Sequence, residues 1–467
     1  MTLDSKHPPK PPATIEDAYK LIVALWQEVL RLQEENATLV EENTALRARV
    51  AELEEKLRTD SSNSSKPPSS DPPGTEKKRK RNRSKRKRKR GGQPGHTGKT
   101  RELLPPEEVD RFVKCIPGRR CNCGGRVQTD TAEATERQQK LELPEYKAEV
   151  TEYQIFIGVC EDCGQVHRGE LPPGVPAGIL GPRAMAAVAV LSGKYHLSKR
   201  QIEEVLSDLL GLDLSLGTVS NTEARASEAL AAPVEEAHAY VKEQAVVHAD
   251  ETSHKVANEK AWMWTAVTTF VSVFLICGNR ATESAKRLLG ETFGGILVSD
   301  RWHSYNWVDA VRRQLCWAHL ERDIIKISER GGRSEEIGEA ILGYVQKMWH
   351  LWHLFDSGQR QRPWFKRMMK PIREEIESLL AEGTVCGHAK TQRTCKRILK
   401  LKSALWTFVE TPGVDPTNNV AERTLRPYVL WRKMSFGTQS ERGNRFVERM
   451  MTVSASCRQQ NRNVLDY

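Results

Sequence analysis

Gln244-Ala-Val-Val-His-Ala-Asp250-Glu-Thr252 is a short apolar run that ends in two adjacent carboxylates. It is too short for a helix and rich in valine, which predicts a buried strand ending at Asp250. In open α/β sheets, chemistry sits just beyond the carboxyl ends of strands. The same pattern recurs at Gly295-Ile-Leu-Val-Ser-Asp300. An Asp after a strand is also an ordinary turn former. Two such sites, joined by further strand-like sequence, favour a shared acidic site. Alternation along a strand sends Glu251 to the face opposite Asp250, as a local hydrogen-bonding or capping group.

Ala261-Trp-Met-Trp-Thr-Ala-Val-Thr and Val271-Ser-Val-Phe-Leu-Ile-Cys read as two further strands. Residues 282–289 read as a short helix, 296–299 as the strand that delivers Asp300, and Arg313-Gln-Leu-Cys-Trp317 as another strand. Three strands, a helix, a strand and a strand is the order of a ribonuclease-H-like sheet, in which the first and fourth strands are neighbours. Asp250 and Asp300 then stand side by side. Residues 331–410 interrupt this with long helices rich in Trp, Lys and Arg. Asp415-Pro-Thr-Asn-Asn-Val-Ala-Glu422-Arg-Thr-Leu-Arg426-Pro opens another short helix, capped by Asp415 or Thr417, with Glu422 one turn in.

Three carboxylates brought together repel one another unless a cation intervenes. Hard oxygen ligands select magnesium or manganese. Two such ions about 3.5–4 Å apart suit an in-line phosphoryl displacement. No nucleophile elbow, dinucleotide fingerprint or kinase set competes with this constellation. His319, Arg322, Arg423, Arg426, Arg432 and Lys433 are candidates to hold phosphates, or else members of structural ion pairs.

The formal net charge is +11, yet Lys77–Arg90 alone carries twelve Lys/Arg and no acid, so the remainder stands at −1. Such a run, with Lys85, Arg86, Lys87, Arg88, Lys89 and Arg90 at its centre, is a basic arm for nucleic acid or a solubilising tail. Ahead of it, 59–76 is a Ser/Pro linker. Behind it, Gly91–Gly98 is glycine-rich but lacks the Lys-Ser/Thr ending of a phosphate-binding loop. Leu25, Leu32, Leu39, Leu46 and Leu53 recur every seven residues, with Ile22, Val29, Asn36, Asn43, Val50 and Leu57 on the other seam. That pattern predicts a parallel two-stranded coiled coil over 15–58, or a single amphipathic helix packed on its own chain.

No apolar segment resembles a signal peptide or reaches the roughly 18 residues of a membrane span. The chain is expected to be cytoplasmic, where ten cysteines point to metal or free thiols before disulfides. Cys121-x-Cys123 and Cys160-x-x-Cys163 offer the halves of one structural zinc site, with Cys115 as an alternative ligand. Segment 138–159 between them reads as a pair of strands, as in a zinc ribbon. Cys386, His388 and Cys395 are too irregularly spaced to make a second site. Residues 181–230 turn helical: a helix over 197–210, a break at Gly211 and a second helix over 216–229 form a candidate helix-turn-helix or a plain helical hairpin.

The chain resembles the transposases of the insertion-sequence 66 family, a branch of the DDE transposases. Ser64–Ser70, Gly91-Gly-Gln-Pro-Gly-His96, Tyr195-His-Leu-Ser-Lys-Arg200, Gly217-Thr-Val-Ser220, His248-Ala-Asp-Glu-Thr252, Ser299–Tyr305, Cys316-Trp-Ala-His319 and Asn418-Asn-Val-Ala-Glu-Arg423 carry the likeness, along nearly the whole length. The first zinc half departs from the Cys-x-x-Cys more usual there, and the chain stops at Tyr467, close to where relatives finish or run on. The resemblance implies Asp250, Asp300 and Glu422 as the catalytic triad, metal-dependent cleavage at element ends and attack of the freed 3′-hydroxyls on target DNA. Accessory proteins of the same element are candidate partners, and the bacterial nucleoid is the expected location.

The expected architecture is thus multidomain, mainly α plus α/β. It comprises a dimerising coiled coil (15–58), a basic linker (59–100), a zinc-ribbon-like domain (101–178), a helical DNA-binding domain (181–240), and a ribonuclease-H-like catalytic domain (241–330 and 411–467) with a helical insertion (331–410). Two other readings share these features: a dimeric zinc-containing DNA-binding regulator with an inactive catalytic domain, and a nuclease.

Overall fold

A computed structural model describes residues 14–58, 102–128, 134, 136–144, 147–176 and 178–467. The Ser/Pro linker, the basic run with Lys85 to Arg90, and Gly91–Gly98 lie outside the described residues. The chain splits into two compact units, Met1–Lys80 with Leu315–Pro412, and Arg81–Gln314 with Gly413–Tyr467. Among the described residues no helix is long and apolar enough to cross a membrane.

Helix α1 (Ile15–Arg58) is one continuous helix of 44 residues, about 66 Å long at 1.5 Å per residue. Leu25, Val29, Leu32, Leu39 and Leu46 on its seams are exposed. The cysteine region is sparser in regular structure than the sequence suggests. Its only paired strands among the described residues are β1 (Ile157–Val159) and β2 (Val166–Arg168), which form an antiparallel hairpin. The two strands expected over 138–159 therefore reduce to the last three residues of that stretch. Leu141, Leu143 and Val150 are exposed, so among the described residues of 138–156 no packed face supports a sheet.

Four helices follow: α2 (Pro182–Gly193), α3 (Lys199–Leu210), α4 (Leu216–Ala229) and α5 (Ala231–Lys242). A capping box starts α3, with the Ser198 hydroxyl accepting from Gln201 N–H and the Gln201 side chain accepting from Ser198 N–H. Leu180, Val188, Ile202, Leu206, Leu214 and Val219 form the core that α2, α3 and α4 share.

The sheet has five strands in the order β5-β4-β3-β6-β7. Strands β3 (Val246–Val256), β4 (Glu259–Val267) and β5 (Ser272–Cys277) make an antiparallel meander. Helix α6 (Thr282–Leu289) leads to β6 (Ile296–Ser299), which lies parallel to β3, and β7 (Arg313–Leu315) follows. Strand β3 does not end at Asp250 but continues to Val256, because β4 pairs with it from His248 to Val256. A two-residue turn joins them. Ala257 and Asn258 both have positive φ (47° and 68°), as a primed hairpin turn requires.

Within Leu315–Pro412, α7 (Trp317–Ser328) is followed, over the 331–410 stretch, by α8 (Gly332–Asp356), α9 (Arg362–Gly383), α10 (Ala389–Leu399) and α11 (Thr407–Glu410). Trp317 and Trp406 are buried against each other there. Trp317 Nε1 donates to Leu405 O, and Trp406 Nε1 donates to Glu377. His388 serves as the N-cap of α10, accepting from Thr391 N–H, and Cys395 is buried.

The chain returns to the sheet with α12 (Asn419–Ser435) and α13 (Glu441–Gln459). Both cover one face of the sheet, over a core of Met263, Phe274, Ile276, Tyr428 and Met450. The other face packs Val247, Ala249, Trp264 and Ala266 against α6 and the residues around Tyr305. Helix α13 also closes the free border of β5. Ser272, Phe274 and Ile276 donate their backbone N–H groups to the side chains of Ser456, Thr452 and Glu448. Two residues along a strand advance about 6.6 Å and four along a helix about 6.0 Å, so the two ladders stay in step.

Candidate functional site

The parallel register pairs Val246 with Ile296 and His248 with Val298, an offset of 50. Carried two residues further, the same offset sets Asp250 opposite Asp300. Pairing with β6 stops at His248, while β3 goes on with β4 alone. Asp250 therefore stands where the two parallel strands part, the crevice in which α/β sheets carry their chemistry.

Glu422 lies in the first turn of α12, and its charge acts on the Asp250 carboxyl. Neither Asp415 nor Thr417 caps that helix: Asn418 is the N-cap, and its side chain makes no cap bond. It turns to the sheet instead. Asn418 Nδ2 donates to Ala249 O at 2.8 Å, and His248 Nδ1 donates to its Oδ1 at 3.3 Å. That tie fixes the start of α12 against the residues on either side of Ala249.

The electrostatics report the proximity. Burial first, then the charges of Glu251, Asp300 and Glu422, hold the Asp250 carboxyl well above the usual carboxylate range. The donor set is all oxygen and all acidic, which suits a hard divalent cation. The three carboxylates do not all lie within 4.8 Å of one another.

Glu251 is buried on the opposite face, as alternation predicts, but its partners are not local. Arg280 forms an ion pair with it, its Nε donating at 2.7 Å, and the Tyr305 hydroxyl donates to its other oxygen. The Arg280 guanidinium also lies 3.9 Å from Asp300 and sits between the rings of Trp302 (3.8 Å) and Trp262 (5.0 Å). Burial and the Asp300 charge still push the Glu251 carboxyl up. Asp300 Oδ1 accepts from Trp302 N–H at 2.9 Å, so it is a turn former as well as a neighbour of Asp250. Buried Arg313 donates to Ser299 Oγ, Asn306 Oδ1 and Asp300 O. Burial lowers its guanidinium to about 10.

Of the basic candidates on α12, Arg423, Arg426 and Lys433 are exposed. Arg432 is committed within the chain, donating to Thr252 Oγ1 and to both the carbonyl and the hydroxyl of Ser253. His319 and Arg322 lie on α7, in the other unit. Sequence reasoning missed Arg280, Arg313 and Asn418 as parts of this site. Their partners lie 29, 13 and 170 residues away in the chain, beyond any local pattern.

The cysteines form two similar knuckles. Cys121 N–H donates to Gly125 O and Gly124 N–H to Cys121 O; Cys160 N–H donates to Gln165 O and Gly164 N–H to Cys160 O. The first knuckle is one residue shorter, which matches its Cys-x-Cys spacing. Hydrogen bonds from Cys123 lower the Cys121 thiol, and those from Cys163 lower Cys160. The knuckles remain separate: no three of Cys115, Cys121, Cys123, Cys160 and Cys163 lie within 4.8 Å of one another.

The model of the family described as "Transposase IS66 family" matches residues 177–445, and that of a "Family of unknown function (DUF6444)" matches 6–102. Uncharacterized protein y4hP of Sinorhizobium fredii is 23% identical over 395 residues, covering 76% of this chain and 70% of its own. Uncharacterized protein y4qI of the same organism is 25% identical over 262 residues, 49% of this chain and 47% of its own. The chain thus spans about half the length of y4qI.

Proposed function

Because the chain belongs to the transposase IS66 family, we propose that it cuts and joins DNA at the ends of an insertion sequence through a ribonuclease-H-like site of Asp250, Asp300 and Glu422. What supports this reading is the parallel register of β3 and β6, which extended by two residues brings Asp250 beside Asp300, and the Glu422 charge, which raises the Asp250 carboxyl. The three carboxylates would hold two magnesium or manganese ions, which when bound neutralise charge on the attacking and leaving oxygens of phosphoryl transfer.

The chain's own residues do the rest. Asn418 holds the first turn of α12, and so Glu422, against β3. Arg313 holds the backbone of Asp300, and Arg280 balances the paired charges of Glu251 and Asp300. Arg423, Arg426 and Lys433 are exposed to take DNA phosphates. Arg432 instead fastens α12 to β3. The 59–100 arm adds sequence-blind affinity, and the 181–240 helices supply further DNA contacts. The two cysteine knuckles, separate in this structure, would supply the ligands of one zinc, and α1 would pair with a second copy. The setting is the bacterial cytoplasm, at the nucleoid, with accessory proteins of the element as partners.

Labelled element ends incubated with the protein and magnesium test this directly. Asp300→Ala and Glu422→Gln should each abolish nicking while leaving DNA binding unchanged. Cleavage that survives Asp300→Ala would sink the catalytic assignment and leave a DNA-binding regulator. A pre-cut end that is never joined to target DNA would leave a nuclease. Metal analysis of the full chain should return one zinc per polypeptide.

A further inference from the structure

A cavity of about 160 Å³ opens between the end of α2, helices α12 and α13, and β5, all within the sheet-bearing unit. Its floor is apolar, formed by Phe274, Pro427 and Met451, and Lys194, Arg423 and Arg458 stand around it. No Asp or Glu lines it, and none of the three cations forms an ion pair among the described residues. Two buried polar atoms on its walls have no hydrogen-bond partner among the described residues: Ser454 Oγ, on a residue 8% exposed, and His196 Nδ1. Close packing sets the wall, since a Cβ on Gly193 would fall 2.6 Å from that of Met450.

His196 is unusual in a second way. Its φ is 65°, in the left-handed region just past α2. Around it Tyr195 N–H donates to Val190 O and Leu197 N–H to Leu191 O, and a left-handed backbone position favours glycine. A histidine stands there against the backbone preference, and such outliers cluster at functional sites. It belongs to Tyr195-His-Leu-Ser-Lys-Arg200, which the carboxylate site does not use.

We propose that this cavity is a nucleotide pocket, taking a base into the apolar hollow and its phosphate onto Lys194, Arg423 and Arg458. A bare phosphate would leave the apolar hollow of Phe274, Pro427 and Met451 unused, whereas a base brings a flat apolar body to fill it. Burial holds the His196 imidazole below its usual range, so at neutral pH it offers one donor and one acceptor, and Ser454 adds a hydroxyl. Arg423 follows Glu422 on α12, so the occupant lies at the flank of the carboxylates. The proposal rests on the transposase reading for its natural source, a nucleotide unstacked from DNA; a free nucleotide has the same chemistry.

Calorimetric titration of the full-length protein, without divalent metal, tests the pocket. At least one deoxynucleoside 5′-monophosphate should bind about tenfold tighter than both its nucleoside and inorganic phosphate. His196→Gly and Ser454→Ala should each weaken it about fivefold, the worth of one hydrogen bond. His196→Gly should nonetheless melt at the same or a higher temperature, because glycine relieves the backbone, which separates binding from folding. Nucleotide and phosphate binding alike would reduce the site to a plain anion hole and overturn the proposal. So would undiminished affinity in His196→Gly. A duplex with an extrahelical base that displaces the nucleotide, where the fully paired duplex does not, identifies DNA as the source. Displacement by neither duplex identifies a free nucleotide. No strand is cut in these titrations, so a negative result removes the pocket and leaves the transposase reading to the Asp300→Ala assay.

Discussion

At the scale of single residues, the buried charges around Arg280 have the largest consequence. Glu251 is fully enclosed and Arg280 is its one cationic partner among the described residues. Removing one member of a buried pair strands the other, at a cost of about 3–5 kcal/mol. Arg280→Met should lower stability in urea by that order, and adding Glu251→Gln should restore most of it; additive losses would show that the pair is not coupled. His254 gives a pH signature. Tyr428 O–H donates to its Nδ1, its Nε2–H donates to Thr438 Oγ1, and Thr438 in turn donates to Asn444. This chain of bonds needs a neutral ring, and burial lowers the imidazole to about 4. A histidine depressed below its ordinary 6.5 stabilises the fold fully above that value and loses the contribution as pH falls towards 4. The loss should be about 1–2 kcal/mol in unfolding free energy, and smaller in His254→Asn.

At the scale of elements, the segments whose boundaries were legible are those bounded by their own chemistry. Residues 282–289 and 296–299 fold as read, because an apolar face or run there is flanked by turn residues. The continuation of β3 past Asp250 was not legible. Its hairpin turn, Ala257-Asn258, lacks the glycine by which such turns announce themselves, and polar Thr252-Ser-His-Lys255 reads as loop until β4 is laid beside it. Asp250 and Asp300 were legible as candidates because each ends an apolar run, and Glu422 because it lies one turn into a helix. The network that positions them could not, since Asn418 and Arg280 find partners only through tertiary folding. Close approach of backbone also hides in sequence: a Cβ on Gly295 would come 2.2 Å from Gln244 O. Gly295→Ala should therefore force β6 away from β3 and weaken magnesium-dependent cleavage more than DNA binding. In α1, replacing Asn36 and Asn43 by Leu should raise the melting temperature of the 15–58 peptide while blurring its stoichiometry, as polar a-positions set register at some cost in stability. A peptide that sediments as a monomer at high concentration would remove the zipper.

At the scale of the whole molecule, charge is segregated: the twelve cations of Lys77–Arg90 sit on a chain otherwise close to neutral. DNA affinity should fall steeply with salt, with a log–log slope of about −0.9 per phosphate neutralised. Deleting 77–90 should flatten that slope without changing which ends are cut. The border of β5 has a different kind of consequence. Its amide row is satisfied by the side chains of α13, so the last helix of the chain acts as the missing sixth strand. An edge without such cover is a template for other chains. A polypeptide broken off before Glu441 would keep the meander of β3, β4 and β5 but expose that row. Such fragments should stack on one another and collect in the pellet on expression. Premature stop codons in the final stretch would then yield insoluble protein rather than soluble, competing half-enzymes.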